Sequence, residues 1–355
     1  MIEKRILPSG RVSWRVRYYG PDHRERSRSF RLRRDAEAYD AKMRTERQRG
    51  DWIDPRRGRA TLADVWADYE RIGMGHLRET TKAAYRNAWR HVDATFGRWP
   101  VAKIEHADVA HWVTSLSARS GPDLVRYAHR VLCLLLDHAM RSRRVPVNVA
   151  RGIRLPKRPP ARERFLTAPQ VQALADKLGG EGDLVLAMTY LGLRWSELAA
   201  LKVADVDLVR RRVHVVERAT EVGGRIDVSA PKSRASNRHI AIPGLLVAML
   251  QSRVEGRPLD ALVFTAPDGG YLRNRNWRTR SGFDEAVKAL GLDVTPHDLG
   301  RTFGSLARAA GADLRWVQKA MGHESITTTA RIYAHLYDDE LDSVAAALDR
   351  IGRGQ

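Results

Sequence analysis

The sequence predicts a multidomain chain: a small α+β module at the N-terminus, an all-α region after it, and a mainly α C-terminal half that carries a small antiparallel sheet. Three observations predict this. The chain has 355 residues, too many for one ordinary hydrophobic core. Two-residue alternation marks strands near the N-terminus and again in short runs after residue 212. Between them, apolar residues recur at three- and four-residue intervals, the period of helices packed on one face. The boundaries fall at 1–58, 59–155 and 163–355.

In the first module Val12, Trp14, Val16 and Tyr18 alternate with Ser13, Arg15, Arg17 and Tyr19, so one face of the strand is apolar and the other cationic. A second strand is expected over 26–32. A helix over 34–49 follows, with Ala36, Tyr39 and Met43 on one side and Gly50 ending it. A sheet backed by one helix, with Arg15, Arg17 and Arg28 on its open face, could lay a strand ribbon in the major groove; a solvated hairpin is the plainer reading. Residues 54–58 combine Pro, Gly and arginines and read as a linker.

Helical spacing begins at Thr61, with Leu62, Val65, Trp66 and Tyr69, and three more helices are expected near 80–96, 105–116 and 122–141. His76, His91, His106, His111, His129 and His138 lack metal-ligand spacing and read as surface or core histidines. The single cysteine, Cys133, sits in an apolar run and reads as core. The basic, proline-rich stretch 151–162 reads as a second linker, suited to lie along a DNA backbone.

Charge narrows the function classes. Lys and Arg number 62 against 42 Asp and Glu, a formal net charge of +20, and arginine predominates. Residues 1–59 alone hold 18 basic and 9 acidic side chains. That balance favours a phosphate-rich partner, double-stranded DNA or another nucleic acid, over a merely solubilising surface. No apolar run approaches the roughly 20 residues that span a bilayer, and residues 1–10 are charged where a signal peptide is apolar, so a soluble, intracellular protein is expected.

The C-terminal half carries the chemistry. Thr167 is a candidate N-cap for a helix to Leu178, and a second helix is expected over 183–191. Arg194 then falls in a turn with Glu197 three residues on, either a surface ion pair or a carboxylate that orients an arginine towards a phosphate. Strands are expected at 213–216, 225–228 and 238–242, with Gly223-Gly224 as a hairpin turn and Lys232 in the turn over 230–237. Lys232 there is a phosphate contact or a proton donor. Thr295-Pro296 starts a helix to about Ala310, and His297 at its N-terminus can cap it or donate to an anion. A further helix begins near Asp313 and includes Trp316 and Val317; Gly322-His323 follow it. Tyr333 lies ten residues beyond His323, with Tyr337 as its competitor, and residues 339–351 read as an amphipathic helix.

Four segments in order are G-L-R-W-S-E-L at 192–198, P-K-S-R at 231–234, T-P-H-D-L at 295–299 and M-G-H-E-S-I-T-T-T-A-R-I-Y-A-H at 321–335. With them the chain resembles the tyrosine recombinases and, among these, the phage integrases. The likeness is strongest from residue 191 to 336. It implies the tyrosine recombinase fold, with an arm-type DNA-binding domain at 1–58, a helical core-binding domain at 59–155 and a catalytic domain at 163–355. It also implies cleavage through a 3′-phosphotyrosine at Tyr333, with Arg194, His297 and His323 stabilising the phosphorane-like charge, Glu197 orienting Arg194, and Lys232 as general acid. No metal or nucleotide cofactor is expected, because tyrosine supplies the nucleophile and the covalent link stores the bond energy. The implied partners are attachment-site duplexes, a homotetramer acting through a Holliday junction, and a host bending protein or an excisionase.

One position departs from the family pattern H-x-x-R. After His297 the fourth residue is Gly300, and the arginine comes one place later as Arg301. Neighbouring helix positions point about 100° apart, so either the helix start is shifted, or Arg301 reaches round, or the second arginine is absent. Loss of one such donor costs about 3–4 kcal/mol of barrier. A weakened DNA-binding relative is therefore one alternative, and a type IB topoisomerase with the same chemistry is another.

Overall fold

The computed structural model describes residues 1–19, 25–48, 54, 56–159, 164–231, 234–333 and 341–353. It comprises two compact units, Met1–Pro159 and Pro160–Gln355.

In the first unit, β1 (Ile2–Ile6), β2 (Val12–Tyr19) and β3 (Glu25–Phe30) form an antiparallel sheet in that order, backed by α1 (Arg33–Gln48). Val16, Tyr18, Ala36 and Met43 are buried between sheet and helix, as the alternation predicts. Register corrects one assignment. Arg28 pairs with Val16 and Phe30 with Trp14, so Arg28 lies on the helix side of the sheet, not on the open face with Arg15 and Arg17. Its guanidinium sits 5.1 Å from the Tyr39 ring centre and 5.3 Å from that of Phe30. On the open face Arg17 pairs with Glu25 at 2.7 Å, which lowers the net positive charge there.

The four expected helices follow as α2 (Leu62–Asp68), α3 (Glu79–Phe96), α4 (His106–Ser117) and α5 (Pro122–Arg141). Thr61 caps α2 with a reciprocal Asp64 contact, and Pro122 opens α5 where its missing N–H costs nothing. Their core stacks Trp66 on Trp89, ring centres 4.9 Å apart, over Val92, Phe96, Trp112, Leu132 and Leu136. Cys133 is half-buried at its margin, and burial raises its thiol pKa. Described residues of both predicted linkers form ion pairs. Asp54 binds Arg26 at 2.6 Å, and Arg151 and Arg158 pair with Asp137 and Asp123 on α5.

The second unit contains α6 (Ala168–Leu178), α7 (Gly182–Leu191) and the single-turn α8 (Trp195–Leu198). Strands β4 (Val206–Asp207), β5 (Arg212–Val215), β6 (Arg218–Val222), β7 (Arg225–Ser229) and β8 (Arg238–Ala241) come next. Helices α9 (Gly244–Val254), α10 (Asn274–Ser281), α11 (Phe283–Ala289), α12 (Pro296–Ala309), α13 (Leu314–Met321), α14 (Ile326–Tyr333) and α15 (Leu341–Gly352) complete it. The expected strands are divided differently from the sequence reading. β4, β5 and β8 make one sheet in the order β4-β5-β8, while β6 and β7 form a separate ribbon. Gly223 and Gly224, at φ 56° and 81°, make the tight turn of that ribbon. The main core packs Val185, Met188 and Leu191 of α7 with Leu174, Leu250, Phe264, Trp277 and Leu299. A second, smaller cluster joins Phe303 of α12, Val317 and Met321 of α13, and Tyr333 of α14. Among the described residues no helix is long and apolar enough to cross a membrane.

Candidate active site

Arg194 is the residue before α8, placed there by the turn that ends α7. Its backbone N–H donates to Glu197 Oε2 at 3.0 Å, and its Nη1 donates to Glu197 Oε1 at 2.7 Å. Glu197 is buried. The desolvation opposes ionisation, but Arg238 and then Arg194 outweigh it and hold the carboxyl below its ordinary range. The Arg194 side chain remains 36% exposed and so can meet a ligand.

Helix α12 starts where the sequence indicates. The Asp298 carboxylate accepts from the Thr295 N–H at 2.9 Å and from its hydroxyl at 2.7 Å, and Pro296 supplies the preset φ of the first turn. The helix start is therefore not shifted. His297 stands exposed on that first turn. Gly300 faces inward, where an added Cβ would lie 3.0 Å from the Leu193 carbonyl oxygen, next to Arg194. Arg301 Nη1 lies 3.7 Å from Asp298 Oδ1. Its positive charge contributes to lowering the pKa of His297, of His323 and of Tyr333.

His323 follows the left-handed Gly322 that ends α13. Its Nδ1 lies 2.9 Å from Oγ1 of the buried Thr329, which leaves Nε2 for the cleft. Burial, then the charges of Arg194, Arg238 and Arg301, lower its pKa to about 4. His297 is depressed as well, by desolvation and then by Arg301, with Arg194 adding to the effect. Both imidazoles are thus neutral near neutral pH. An open cleft of about 280 Å³ is lined by Arg194, Glu197, Pro231, Ser236, His323 and Thr328.

Tyr333 is 0% exposed and does not line this cleft. Its hydroxyl donates to the Arg301 carbonyl oxygen at 2.8 Å, and Met321 Sδ lies 2.9 Å away. The ring stacks on Phe165 at 5.6 Å and fills the space left by Gly304, where a Cβ would overlap its Cζ and hydroxyl. Burial raises the phenol pKa, only partly offset by Arg301. Lys232 and Tyr337 lie outside the described residues.

The structure therefore brings Arg194, Glu197 and His323 to one cleft with Arg301 and His297 in electrostatic reach, and holds Tyr333 in the adjoining cluster. Sequence reasoning missed Arg238, Thr329 and Gly304. Arg238 had a usable signal: with Ile240 it occupies the inward register of β8, and a charge in such a position needs a buried partner.

Residues 164–340 match the model of the phage integrase family. The chain is 27% identical to a protein named as the prophage phiRv2 integrase of Mycobacterium tuberculosis, over 99% of this chain and 96% of that one. It is 29% identical to the tyrosine recombinase XerC of Actinobacillus pleuropneumoniae serotype 7, over 63% and 72% of the two chains. Among solved structures, the Tn1549 transposon integrase in complex with a circular intermediate DNA superposes with a TM-score of 0.69 at 20% identity, covering 82% of this chain and 99% of that one. A lambda integrase tetramer bound to a Holliday junction gives 0.62 at 18% identity, covering 91% and 96%.

Proposed function

The chain belongs to the phage integrase family of tyrosine recombinases, and on that premise we propose that it cuts and rejoins DNA at defined sites through a covalent bond to Tyr333. The observation that carries this reading is the convergence on one open cleft of Arg194, held by Glu197 at 2.7 Å, and His323. A phosphodiester brought into that cleft meets the Arg194 guanidinium and the free nitrogen of a neutral imidazole, donors suited to a trigonal-bipyramidal phosphorane.

In the proposed reaction the Tyr333 oxygen attacks phosphorus. The O–P bond to tyrosine forms, the P–O5′ bond breaks, and its electron pair leaves on the 5′ oxygen, which takes a proton from Lys232. The phenolic proton passes to a neutral imidazole of the cleft. The freed 5′ hydroxyl of an exchanged strand reverses these steps and restores the duplex. Tyr333 must first leave the Arg301 carbonyl, so DNA binding has to draw α14 towards the cleft. Arg301 takes the part of the second arginine.

The open sheet face with Arg15 and Arg17 is assigned to a second DNA contact, while Arg28 packs on the other face against Phe30 and Tyr39. The working assembly is a tetramer on two duplexes, aided by a bending protein or an excisionase, on the nucleoid of a bacterial cytoplasm. The predicted domains at 1–58, 59–155 and 163–355 supply arm contacts, core-site contacts and chemistry in turn.

The test is covalent trapping on a nicked duplex taken from the DNA flanking the coding sequence. A protein–DNA adduct that forms with the wild type and is absent with Tyr333→Phe is expected. Binding with no adduct would favour the rival reading that Gly300 motivates, a DNA-binding relative that no longer cuts.

A further inference from the structure

Arg238 opens β8, and its side chain is 4% exposed. Its guanidinium is wholly engaged inside the protein. Nη1 donates to Glu197 Oε1 at 3.2 Å and to the Ser236 carbonyl at 3.2 Å; Nη2 donates to Glu197 Oε2 at 3.0 Å and to the Gly192 carbonyl at 3.2 Å; Nε donates to the Ala320 carbonyl at 2.6 Å. All five N–H groups of an arginine are used, so none remains for a phosphate. The acceptors come from the end of α7, from α8, from the last turn of α13 just before His323, and from the short turn Arg234–Ser236. Gly322 presses on that same turn, where a Cβ would lie 2.9 Å from the Ala235 oxygen and 3.2 Å from Arg238 Cδ.

We propose that Arg238 is a positioning residue for DNA cleavage: it fixes Glu197, and through it the aim of Arg194, while its bond to the Ala320 carbonyl fixes the backbone that presents His323. One buried carboxylate shared by two guanidinium groups leaves a net positive charge, so Arg194 keeps its attraction for phosphate although it is ion-paired. The groups that face Glu197 are Arg194, Arg238 and His323. Without Arg238 the carboxylate keeps one arginine in a desolvated setting, where it takes up a proton more readily and releases Arg194 from its bidentate hold.

This inference rests on the cleavage reading above, and the experiment separates the two. Full-length wild type, Arg238→Lys, Arg238→Met and Glu197→Gln are compared for single-turnover adduct formation on the nicked flanking duplex, for duplex affinity, and for melting temperature. Arg238→Lys keeps the charge but loses the fork, and adduct formation should slow about a hundredfold while duplex affinity stays within about threefold of wild type. In Arg238→Met the acid limb of the rate profile should move to higher pH, and the further change Glu197→Gln should abolish that displacement. A role in folding alone would lower rate and melting temperature together and leave the acid limb in place, which overturns the proposal. If neither Arg238 variant folds, Glu197→Gln decides: slow cleavage with retained affinity supports the proposal, and the wild-type rate overturns it. Failure of the wild type itself to form an adduct overturns the cleavage reading and this inference with it, whereas a wild-type adduct undiminished in folded Arg238→Lys overturns this inference alone.

Discussion

A single imidazole gives a test that needs no DNA. The His323 pKa falls from 6.5 to about 4 in the folded chain, so the unfolded chain binds its proton first as pH drops. The neutral folded form is therefore fully stable above about 6.5, loses stability as pH falls towards about 4, and loses no more from this group below that. In His323→Asn the fall in melting temperature between about pH 7.5 and about pH 4.5 should be smaller than in wild type. Equal falls would mean that the ring is not held neutral. Residues of this kind differ in how far the sequence exposes them. Arg194 with Glu197, and Gly322 with His323, stand in short motifs whose local turns create the geometry, and they were legible. Arg238 showed only its inward position on β8; its role was not legible, because its five acceptors lie on four separate segments and no local spacing brings them together.

At the scale of elements, helix starts were legible wherever a cap wrote them into the chain: Thr61 with Asp64, Thr167 with Gln170, Thr295 with Asp298, and Asp313 with the Trp316 N–H. Strand partners were not, since β5 pairs with β8 across an intervening ribbon and alternation carries no information about a neighbour. The same limit misplaced Arg28, whose face follows from its register with Val16. The groove on α12 at Gly304 gives the prediction at this scale. Gly304→Ala places a methyl group where the Tyr333 ring sits, and should cost about 1–3 kcal/mol of stability, read from denaturant unfolding. It should also make Tyr333 of the DNA-free protein open to nitration by tetranitromethane, read by peptide mass, whereas in wild type the buried ring resists the reagent. Unchanged stability with no labelling would mean that the ring and helix separate at little cost.

Over the whole molecule, a net charge of +20 ties duplex affinity to counterion release. If some 6–10 phosphates are neutralised, affinity for non-specific duplex should fall roughly 10³- to 10⁵-fold between about 50 and about 200 mM salt, measured by fluorescence anisotropy. A flat response would remove the backbone-contact reading of the basic surface. Composition showed this sign of charge but not its internal commitments. Arg26, Arg151 and Arg158, counted as free cations in the sequence, are spent on Asp54, Asp137 and Asp123. The bond from the Tyr333 hydroxyl to the Arg301 carbonyl has a consequence for the cell. On the proposed role of Tyr333 as nucleophile, molecules that have not met their DNA are stored unarmed, so the hazard of stray chromosome breaks follows the number of assembled complexes and not the abundance of the protein.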